Sequence, residues 1–282
     1  MRLGLIGTGI ARSLAPALHE EEGRHHGLRI DYRLIELGPE DDLAEPLRSV
    51  RNGEFAGVNV TYPFKQSILP LLDDLSAEAH AIGAVNTVVR DGKRLVGHNT
   101  DGSGWRWGFS RALPGGNLAR VVLLGAGGAG AACGHAAIAL GARRVLVVDR
   151  DKARATTLAS RLNEHAAGAH ASASDLAPAL DGATGLIHAT PTGMDGQPGL
   201  PLAPEMLRPD MWVSEVVYRP LETELVKTAR RLGCTVVDGG HMNVGQALHA
   251  FRLFTGLEPD PSRMEAHFRT LVASTSSAAY RS

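Results

Sequence analysis

The chain has 282 residues, of which 44% are hydrophobic and 21% are charged, a balance typical of folded globular proteins and unlike that of disordered ones. Its formal net charge of −1 argues against the strong basic field with which proteins bind nucleic acids or anionic membranes. The length suits one large domain or two ordinary ones.

The start of the chain and its cysteines point to a reducing compartment. Met1 leads into a strand-like segment with no signal peptide pattern, and no apolar run approaches the roughly 18 residues of a membrane span. We therefore expect a cytoplasmic protein with no membrane partner. Cys133 and Cys234 lack metal or redox spacing and are interpreted as core residues. The 12 histidines form no clustered ligand pattern, so no metal site is predicted.

Residues 1–104 alternate apolar runs with helical patterns, which predicts an N-terminal α/β unit. Asp91-Gly92 separates the last two apolar runs and is typical of a hairpin turn, so the sheet is predicted to have an antiparallel edge. The predicted strands cover 2–7, 30–37, 56–61, 84–89 and 95–98, and the predicted helices cover 14–26, 39–51 and a segment that opens at Pro63, since proline suits a first helical turn.

The turn Gly7-Thr8-Gly9 in this unit looks like the start of a dinucleotide-binding motif, with Glu36 as the acid that follows. Two features argue against that interpretation. Arg12 occupies the place of the third glycine, where a bulky side chain would hold a helix away from the strand. Glu36 also comes late, 29 residues after Gly7. We therefore assign no cofactor to this turn.

The segment 121–130 carries a stronger pattern. Its apolar start predicts a buried strand of a parallel sheet, and its glycines follow the spacing Gly-x-Gly-x-x-Gly. An Ala-rich helix and a second apolar run come next, ending on Asp149. This order is that of dinucleotide-binding units, in which the pyrophosphate lies on amides at the helix N-terminus. The predicted cofactor-binding residues of this motif are Gly125, Ala126, Gly127, Gly128, Ala129, Gly130 and Asp149.

The loop 114–117 marks the boundary between two units, because it consists of turn-forming residues. We predict a substrate-binding and catalytic domain at 1–104, a doubly wound Rossmann-type domain at 105–241, C-terminal helices at 242–275 that return to the first domain, and a frayed tail at 276–282. Predicted helices of the later chain cover 105–113, 151–165, 221–232, 242–254 and 262–272, and predicted strands cover 185–188, 212–217 and 235–237.

Polar residues stand at three predicted strand termini of the first domain, where ligands gather in α/β folds. Lys65 and Asp101 are among them and can serve as an acid/base pair, since oxidation of an alcohol by hydride transfer requires removal of the hydroxyl proton. Each residue also has a structural interpretation: Lys65 as a solvated charge, Asp101 as a helix N-cap, and Asn86 with Thr87 as turn residues. The three segments are 59–65, 83–87 and 97–102.

These segments together resemble the shikimate/quinate dehydrogenase family over nearly the whole chain. The matching motifs come in the family's order, which makes the resemblance highly specific. They are Arg12-Ser13-Leu14-Ala15-Pro16 and on to His19, Asn59 to Lys65, Gly83 to Thr87, Asn99 to Gly104, Gly125 to Gly130, Ala189-Thr190-Pro191-Thr192-Gly193-Met194, Tyr218-Arg219-Pro220 with Thr223, and Asp238 through Ala247.

The resemblance implies a role for each matching residue and a small-molecule substrate held by a monomer or a homodimer. Lys65 and Asp101 are expected as the catalytic pair that faces the reacting alcohol. The expected substrate-binding residues are Ser13 and Tyr218 on the carboxylate, Asn86, Asp101 and Gln246 on ring hydroxyls, and Thr61 along the site. Beyond the glycine motif, the expected cofactor-binding residues are Arg150, Ala189, Thr190, Gly193, Met194 and Gly239.

The chain departs from the family's pattern at Ala15, where a second hydroxyl residue is usual. Its loss removes a hydrogen bond to a charged group, worth about 1.5–3 kcal/mol, and predicts weaker carboxylate binding. The smaller side chain equally leaves room for a substituent on C1, such as the extra hydroxyl of quinate. Shikimate and quinate therefore both stand as expected substrates.

A second departure concerns the coenzyme. NADP-dependent members resemble Asn-Arg-Thr where this chain has Asp149-Arg150-Asp151. Asp149 suits the ribose diol of NAD, and two carboxylates near a 2′-phosphate should repel it. Arg150 and Arg154 compensate in part. His188 stands where the family commonly has Asn and is interpreted as a satisfied core histidine.

These observations predict an NAD-preferring dehydrogenase of shikimate, quinate or both, with NADP as the alternative coenzyme. Rival hypotheses are a dehydrogenase of a shikimate analogue such as aminoshikimate, an NADP-dependent biosynthetic shikimate dehydrogenase, and a non-catalytic NAD or metabolite sensor. Retention of both Lys65 and Asp101 weighs against the sensor, because binding alone does not require an acid/base pair.

Overall fold

The computed structural model describes residues 1–38, 40–166 and 168–279, with the side chains of 275–279 excepted. Within them the chain divides into two compact units. One is formed by Met1–Thr100 and the chain from Val244 onward, and the other by Asp101–Asn243. The chain from Val244 onward therefore groups with the first unit.

The described residues form twelve β-strands and ten α-helices. The strands are β1 (Arg2–Gly7), β2 (Asp31–Glu36), β3 (Gly57–Val60), β4 (Asp74–Leu75), β5 (Thr87–Asp91), β6 (Arg94–His98), β7 (Val121–Leu124), β8 (Arg144–Val148), β9 (His170–Ala173), β10 (Gly185–His188), β11 (Trp212–Glu215) and β12 (Thr235–Val237). The helices are α1 (Ala15–His25), α2 (Ala44–Arg51), α3 (Ala77–Ile82), α4 (Thr100–Ala112), α5 (Gly128–Ala139), α6 (Lys152–Glu164), α7 (Leu176–Leu180), α8 (Glu224–Arg231), α9 (Gly239–Thr255) and α10 (Pro261–Ala279). None of these helices is long and apolar enough to cross a membrane.

The first unit has a mixed sheet with the order β2-β1-β3-β5-β6-β4. β1 pairs in parallel with β2 and β3, while β5 runs antiparallel to β3 and β6, which confirms the predicted hairpin. The prediction of an antiparallel edge is wrong, because β5 lies inside the sheet and β4 at its edge pairs in parallel with β6. The core of this unit is a cluster of buried apolar residues, among them Ile6 of β1, Val58 of β3 and Ile68. The edge strand β4 has only two residues and was not predicted.

The segment after Pro63 is not the predicted helix. Residues 62–68 form consecutive turns, followed by a 3-10 helix at Leu69–Leu71. Phe64 donates its amide to Thr61 and Leu71 donates to Ile68, both three residues back. Pro70 has no amide hydrogen to donate, so a regular α-helical ladder cannot continue here. The predicted helix 39–51 is also shorter, since α2 begins at Ala44; Pro39 lies outside the described residues.

The C-terminal helices are held to α1 by a ring stack and a partly buried ion pair. The imidazole of His19 stacks on Tyr32 and on Phe251 of α9, with ring centroids 5.1 and 6.2 Å apart. The buried carboxylate of Glu22 accepts from the Arg263 guanidinium of α10 at 2.6 and 3.0 Å. α10 extends to Ala279, past the predicted end at 272 and into the predicted frayed tail, of which 280–282 lie outside the described residues.

The second unit has a fully parallel sheet with the order β12-β11-β10-β7-β8-β9. Numbered from β7, this is the 3-2-1-4-5-6 order of the Rossmann fold, whose ligands bind beyond the carboxyl ends of the strands. β9 and α7 were not predicted from the sequence. The strand residues His170-Ala171-Ser172-Ala173 contain no large apolar side chain, so periodicity gave no signal there.

Candidate active site

In the first unit, the ends of three strands bring the predicted polar segments to one edge of the sheet. Asn59 of β3 pairs with Thr87 of β5, and Thr87 pairs with His98 of β6. Because β5 runs antiparallel to both neighbours, its start lies beside their carboxyl ends. The segments that follow β3, precede β5 and follow β6 therefore emerge together at this edge.

A buried hydrogen-bond network joins these segments. The Asn59 amide donates to Thr87 Oγ1 at 3.0 Å and accepts from the hydroxyl of Tyr32 at 2.8 Å. Asn86 Oδ1 accepts from the Thr100 backbone amide at 2.7 Å, and Asn86 Nδ2 donates to Thr100 Oγ1 at 2.9 Å. Asn59, Asn86, Thr87 and Thr100 are all buried. The network fixes Asn86 and the start of α4, so Asn86 is more than a turn residue.

Asp101 lies in the first turn of α4, directly after Thr100, rather than at the N-cap position considered from the sequence. Its carboxylate is almost completely buried. The helix dipole favours a negative charge in the first turn.

Lys65 is half-buried on the turn segment that follows β3. Its carbonyl oxygen accepts from the Val85 amide at 2.7 Å, which ties this segment to the one that precedes β5. Thr61, at the end of β3, donates its amide to the Ile6 carbonyl oxygen at 2.9 Å and is also half-buried. Lys65 therefore does not have the fully solvated position that the surface interpretation requires.

Ser13 stands at the N-terminus of α1. Its hydroxyl oxygen accepts from the Ala15 amide at 3.2 Å, which leaves the hydroxyl hydrogen able to donate to an anion. The nearby turn Gly7-Thr8-Gly9 has no comparable capacity. The Glu36 carboxylate accepts from the amides of Gly9 and Ile10, so this turn's donors are already used.

In the second unit, the glycine motif between β7 and α5 has the geometry that a dinucleotide requires. Gly125 has φ +111°, and a Cβ on it would lie 2.7 Å from the carbonyl oxygen of Ala189. A Cβ on Gly130 would overlap the carbonyl oxygen of Gly125, so only glycine lets α5 pack this closely. A Cβ on Gly127 would meet nothing nearer than 3.7 Å, the distance to Arg154 Nη2. The backbone at Gly127 is therefore open to a ligand.

The acid after β8 is held against this turn by backbone amides. Asp149 Oδ2 accepts from the Ala126 amide at 2.7 Å, and Oδ1 accepts from the Asp151 amide at 2.9 Å. Asp151 in turn caps α6, accepting from the amides of Ala153 and Arg154. Arg150 and Arg154 are exposed. Each carboxylate is thus oriented by the main chain.

The predicted nicotinamide-side residues lie on the loop that follows β10. Ala189 donates its amide to the Leu124 carbonyl oxygen at 2.7 Å, which places the loop beside the glycine turn. Gly193 has φ +92°, and the Met194 amide donates to the Pro191 carbonyl oxygen at 3.1 Å. Thr190 approaches Gly125, with its Cγ2 3.1 Å from the position of a Cβ there.

The remaining predicted residues stand at the starts and ends of other elements. Tyr218 is half-buried and follows β11, and Gln246 is half-buried on α9. Gly239 opens α9, and a Cβ on it would overlap the carbonyl oxygen of Val217. Glu215 was not predicted from the sequence; it is a buried carboxylate at the end of β11 that binds His188. An acid closing an apolar strand was the signal available.

Within the described residues, no group of three histidine, cysteine, aspartate or glutamate side chains could hold a metal ion. The strand order of the second unit and its glycine motif define a dinucleotide-binding α/β protein joined to a second α/β unit. Many NAD(P)-dependent oxidoreductases belong to this class.

Comparison with known proteins identifies the family. Residues 5–88 match the model of the shikimate dehydrogenase substrate binding domain. A shikimate dehydrogenase (NADP(+)) of Streptomyces avermitilis is 52% identical over 278 residues, covering 96% of this chain and 95% of its own. A quinate/shikimate dehydrogenase (NAD(+)) of Corynebacterium glutamicum is 45% identical over 278 residues, covering 95% of this chain and 98% of its own.

A solved structure of quinate dehydrogenase from Corynebacterium glutamicum in complex with NAD superimposes with a TM-score of 0.88 at 44% identity, covering 96% of this chain and 99% of that one. The chain belongs to the shikimate/quinate dehydrogenase family of NAD(P)-dependent oxidoreductases.

Proposed function

We propose that the protein is an NAD-preferring dehydrogenase that interconverts shikimate and 3-dehydroshikimate, quinate and 3-dehydroquinate, or both pairs. Membership of the family supports the reaction type, and the relatives named shikimate dehydrogenase and quinate/shikimate dehydrogenase support the substrate class. The observation that carries the coenzyme preference is the Asp149 carboxylate, fixed beside the glycine turn by the Ala126 amide.

The residues of the glycine turn fit a bound dinucleotide. Gly127 is the N-cap of α5 and brings no side chain to the first amides of that helix. The space that a Cβ would fill there is open, so a pyrophosphate can approach the backbone and the positive end of the helix dipole. When bound, the nicotinamide supplies the hydride acceptor for alcohol oxidation.

The charges around Asp149 favour NAD. A carboxylate has about four lone-pair positions, and Asp149 uses two of them on backbone amides. The others can accept from the two ribose hydroxyls of NAD. A 2′-phosphate would instead meet the charges of Asp149 and Asp151, and like charges brought together cost several kcal/mol. Arg150 and Arg154 offset part of this repulsion.

Lys65 and Asp101 are proposed as the acid/base pair. Lys65 takes the proton from the substrate hydroxyl as the hydride leaves and returns it in the reverse reaction. Asp101 holds a ring hydroxyl of the substrate beside the reacting group. The half-buried position of Lys65 and the buried position of Asp101 both support a role that excludes water.

Substrate recognition is proposed to combine a carboxylate site with ring-hydroxyl partners. Ser13 and Tyr218 bind the carboxylate, and Asn86, Asp101 and Gln246 bind ring hydroxyls, with Thr61 beside them. The free hydroxyl hydrogen of Ser13 supports its role. Ala15 opens α1 where the family usually has a hydroxyl, which leaves space for the C1 hydroxyl of quinate.

The experiment is steady-state kinetics with shikimate, quinate and an amino-substituted shikimate analogue, each against NAD+ and NADP+. We expect kcat/KM with NAD+ to exceed that with NADP+ at least tenfold for one or both substrates. A higher kcat/KM with NADP+ would overturn the coenzyme preference and favour an NADP-dependent biosynthetic enzyme. Turnover only with an amino-substituted analogue would favour the analogue dehydrogenase, and NAD binding without turnover of any would favour a sensor.

A further inference from the structure

His188 and Glu215 form a buried pair at the carboxyl ends of neighbouring strands. They are register partners in β10 and β11, and both side chains are fully buried. His188 Nδ1 lies 2.8 Å from Glu215 Oε1. Ligands of a Rossmann unit bind beyond these strand ends, so the pair lies directly beneath loops expected to carry the cofactor.

The imidazole connects to a different loop through each nitrogen. Glu215 Oε1 already accepts from two backbone amides, so it is an acceptor toward His188 as well and Nδ1 donates to it. Nε2 lies 2.5 Å from Thr190 Oγ1, so in the neutral ring it accepts the hydroxyl hydrogen of Thr190. The His188 ring thereby fixes the rotamer of Thr190, whose methyl group lies against the start of the glycine turn.

The carboxylate organises the segment that leads to Tyr218. Glu215 Oε1 accepts from the amides of Val216 and Val217 at 2.9 and 3.0 Å. Its Oε2 accepts from the Thr223 hydroxyl at 2.9 Å, and Thr223 caps α8 by accepting from the Val226 amide. Tyr218 follows these bonded amides directly.

We propose that His188 is a positioning residue that sets the Thr190 loop and the Tyr218 segment in one fixed arrangement. The inference rests on the proposed function, in which Thr190 lies along the nicotinamide and its ribose and Tyr218 binds the substrate carboxylate. The hydrogen bond between Nε2 and Thr190 then supports coenzyme binding. The hydrogen bond from Nδ1 to Glu215 supports substrate binding through the Tyr218 segment.

Two substitutions separate these sides. Asn at 188 reaches the position of Nδ1 and keeps the bond to Glu215, but it ends short of Thr190. Gln at 188 reaches the position of Nε2 and keeps the bond to Thr190, but it leaves Glu215 without its imidazole donor. His188→Asn should raise the dissociation constant of NAD+ about tenfold with a smaller change in the KM of shikimate or quinate, since one buried hydrogen bond is lost. His188→Gln should raise the KM of shikimate or quinate more than the dissociation constant of NAD+.

The matched control is Ser214→Ala. Ser214 is buried in β11 next to Glu215 and accepts from Trp105 Nε1 at 3.0 Å, so its loss costs a hydrogen bond in the same strand without touching either loop. We expect a lower melting temperature and little change in NAD+ binding or in KM. Calorimetric titration measures the dissociation constant of NAD+ directly, without any turnover of substrate.

Equal effects of His188→Asn and His188→Gln on both constants, or effects matched by Ser214→Ala, would overturn the proposal. Wild-type protein that binds NAD+ but turns over neither substrate would instead contradict the proposed function. If the His188 variants do not fold, Thr190→Val leaves the His188–Glu215 bond intact and removes the hydroxyl. Unchanged NAD+ affinity in that variant would also overturn the proposal.

Discussion

The Asp149 carboxylate accepts a hydrogen bond at 2.7 Å from the backbone amide of Ala126, 23 residues earlier in the glycine turn. This bond holds the acid beside the loop where a dinucleotide would place its pyrophosphate. The same acid therefore closes the turn, and in the proposed function its remaining lone pairs accept from the ribose hydroxyls of NAD.

The double variant Asp149→Asn with Asp151→Thr tests the coenzyme preference. It removes both carboxylates, while Thr can still cap α6 in place of Asp151. We expect kcat/KM with NADP+ to rise and that with NAD+ to fall, each about tenfold, because repulsion of the 2′-phosphate disappears and ribose acceptors are lost. Asp151→Thr alone is the control. An unchanged NAD+ to NADP+ ratio in the double variant would contradict the role of Asp149.

Lys65→Ala tests the acid/base assignment. Loss of a positioned general base typically costs 10²- to 10⁴-fold in rate, so we expect kcat to fall by about that amount while calorimetric NAD+ affinity stays near the wild-type value. Lys93→Ala is the matched control, since Lys93 is exposed in the hairpin between β5 and β6. Turnover of Lys65→Ala equal to that of the control would remove the assigned role.

The glycine motif was predictable because its geometry is local. Gly125 and Gly130 stand where a Cβ would collide with backbone atoms. The Gly-x-Gly-x-x-Gly spacing in the sequence therefore predicts the close packing at both positions. The His188–Glu215 pair could not be anticipated in the same way. Its partners are 27 residues apart, and they meet only because β10 and β11 are neighbours in register.

The wrong prediction of a helix after Pro63 came from two prolines with opposite local effects. Pro63 favours a helical start, yet Pro70 removes an amide donor within two turns, and the chain adopts turns and a 3-10 helix instead. The roles of Ser13, Tyr218 and Gln246 came from family resemblance, because a single polar residue at a strand or helix end has several local explanations. Periodicity alone would not have selected them.

Gly127→Ala and Gly130→Ala separate cofactor approach from folding. At Gly127 (φ −81°) a Cβ has space, so we expect near wild-type stability but at least tenfold weaker NAD+ binding, because the methyl group occupies the place of the pyrophosphate. At Gly130 a Cβ would overlap the Gly125 carbonyl oxygen, and overpacking of this kind costs about 1–3 kcal/mol or more of unfolding free energy. Urea unfolding and NAD+ titration distinguish the two. Strong NAD+ binding by Gly127→Ala would place the pyrophosphate elsewhere.

His19 should make the stability of the protein depend on pH. Burial against aromatic rings lowers the pKa of His19 from its ordinary value of 6.5 to about 4, although the nearby Glu22 carboxylate acts in the opposite direction. The unfolded chain therefore binds a proton at higher pH than the folded one. Above about pH 6.5 the neutral His19 costs the folded state no stability. As the pH falls from 6.5 towards 4, the free energy of unfolding falls by up to about 3 kcal/mol, because the unfolded chain takes up a proton that the folded chain does not.

His19→Phe keeps an aromatic ring beside Tyr32 and Phe251 but cannot take up a proton. We expect urea unfolding at a series of pH values to show a flatter decline between pH 6.5 and 4 than in the wild type. Some slope should remain, since burial also lowers the pKa of His98. His170→Gln, at an exposed histidine, is the control. A His19→Phe curve parallel to the wild-type curve would show that the imidazole takes no part in the acid response.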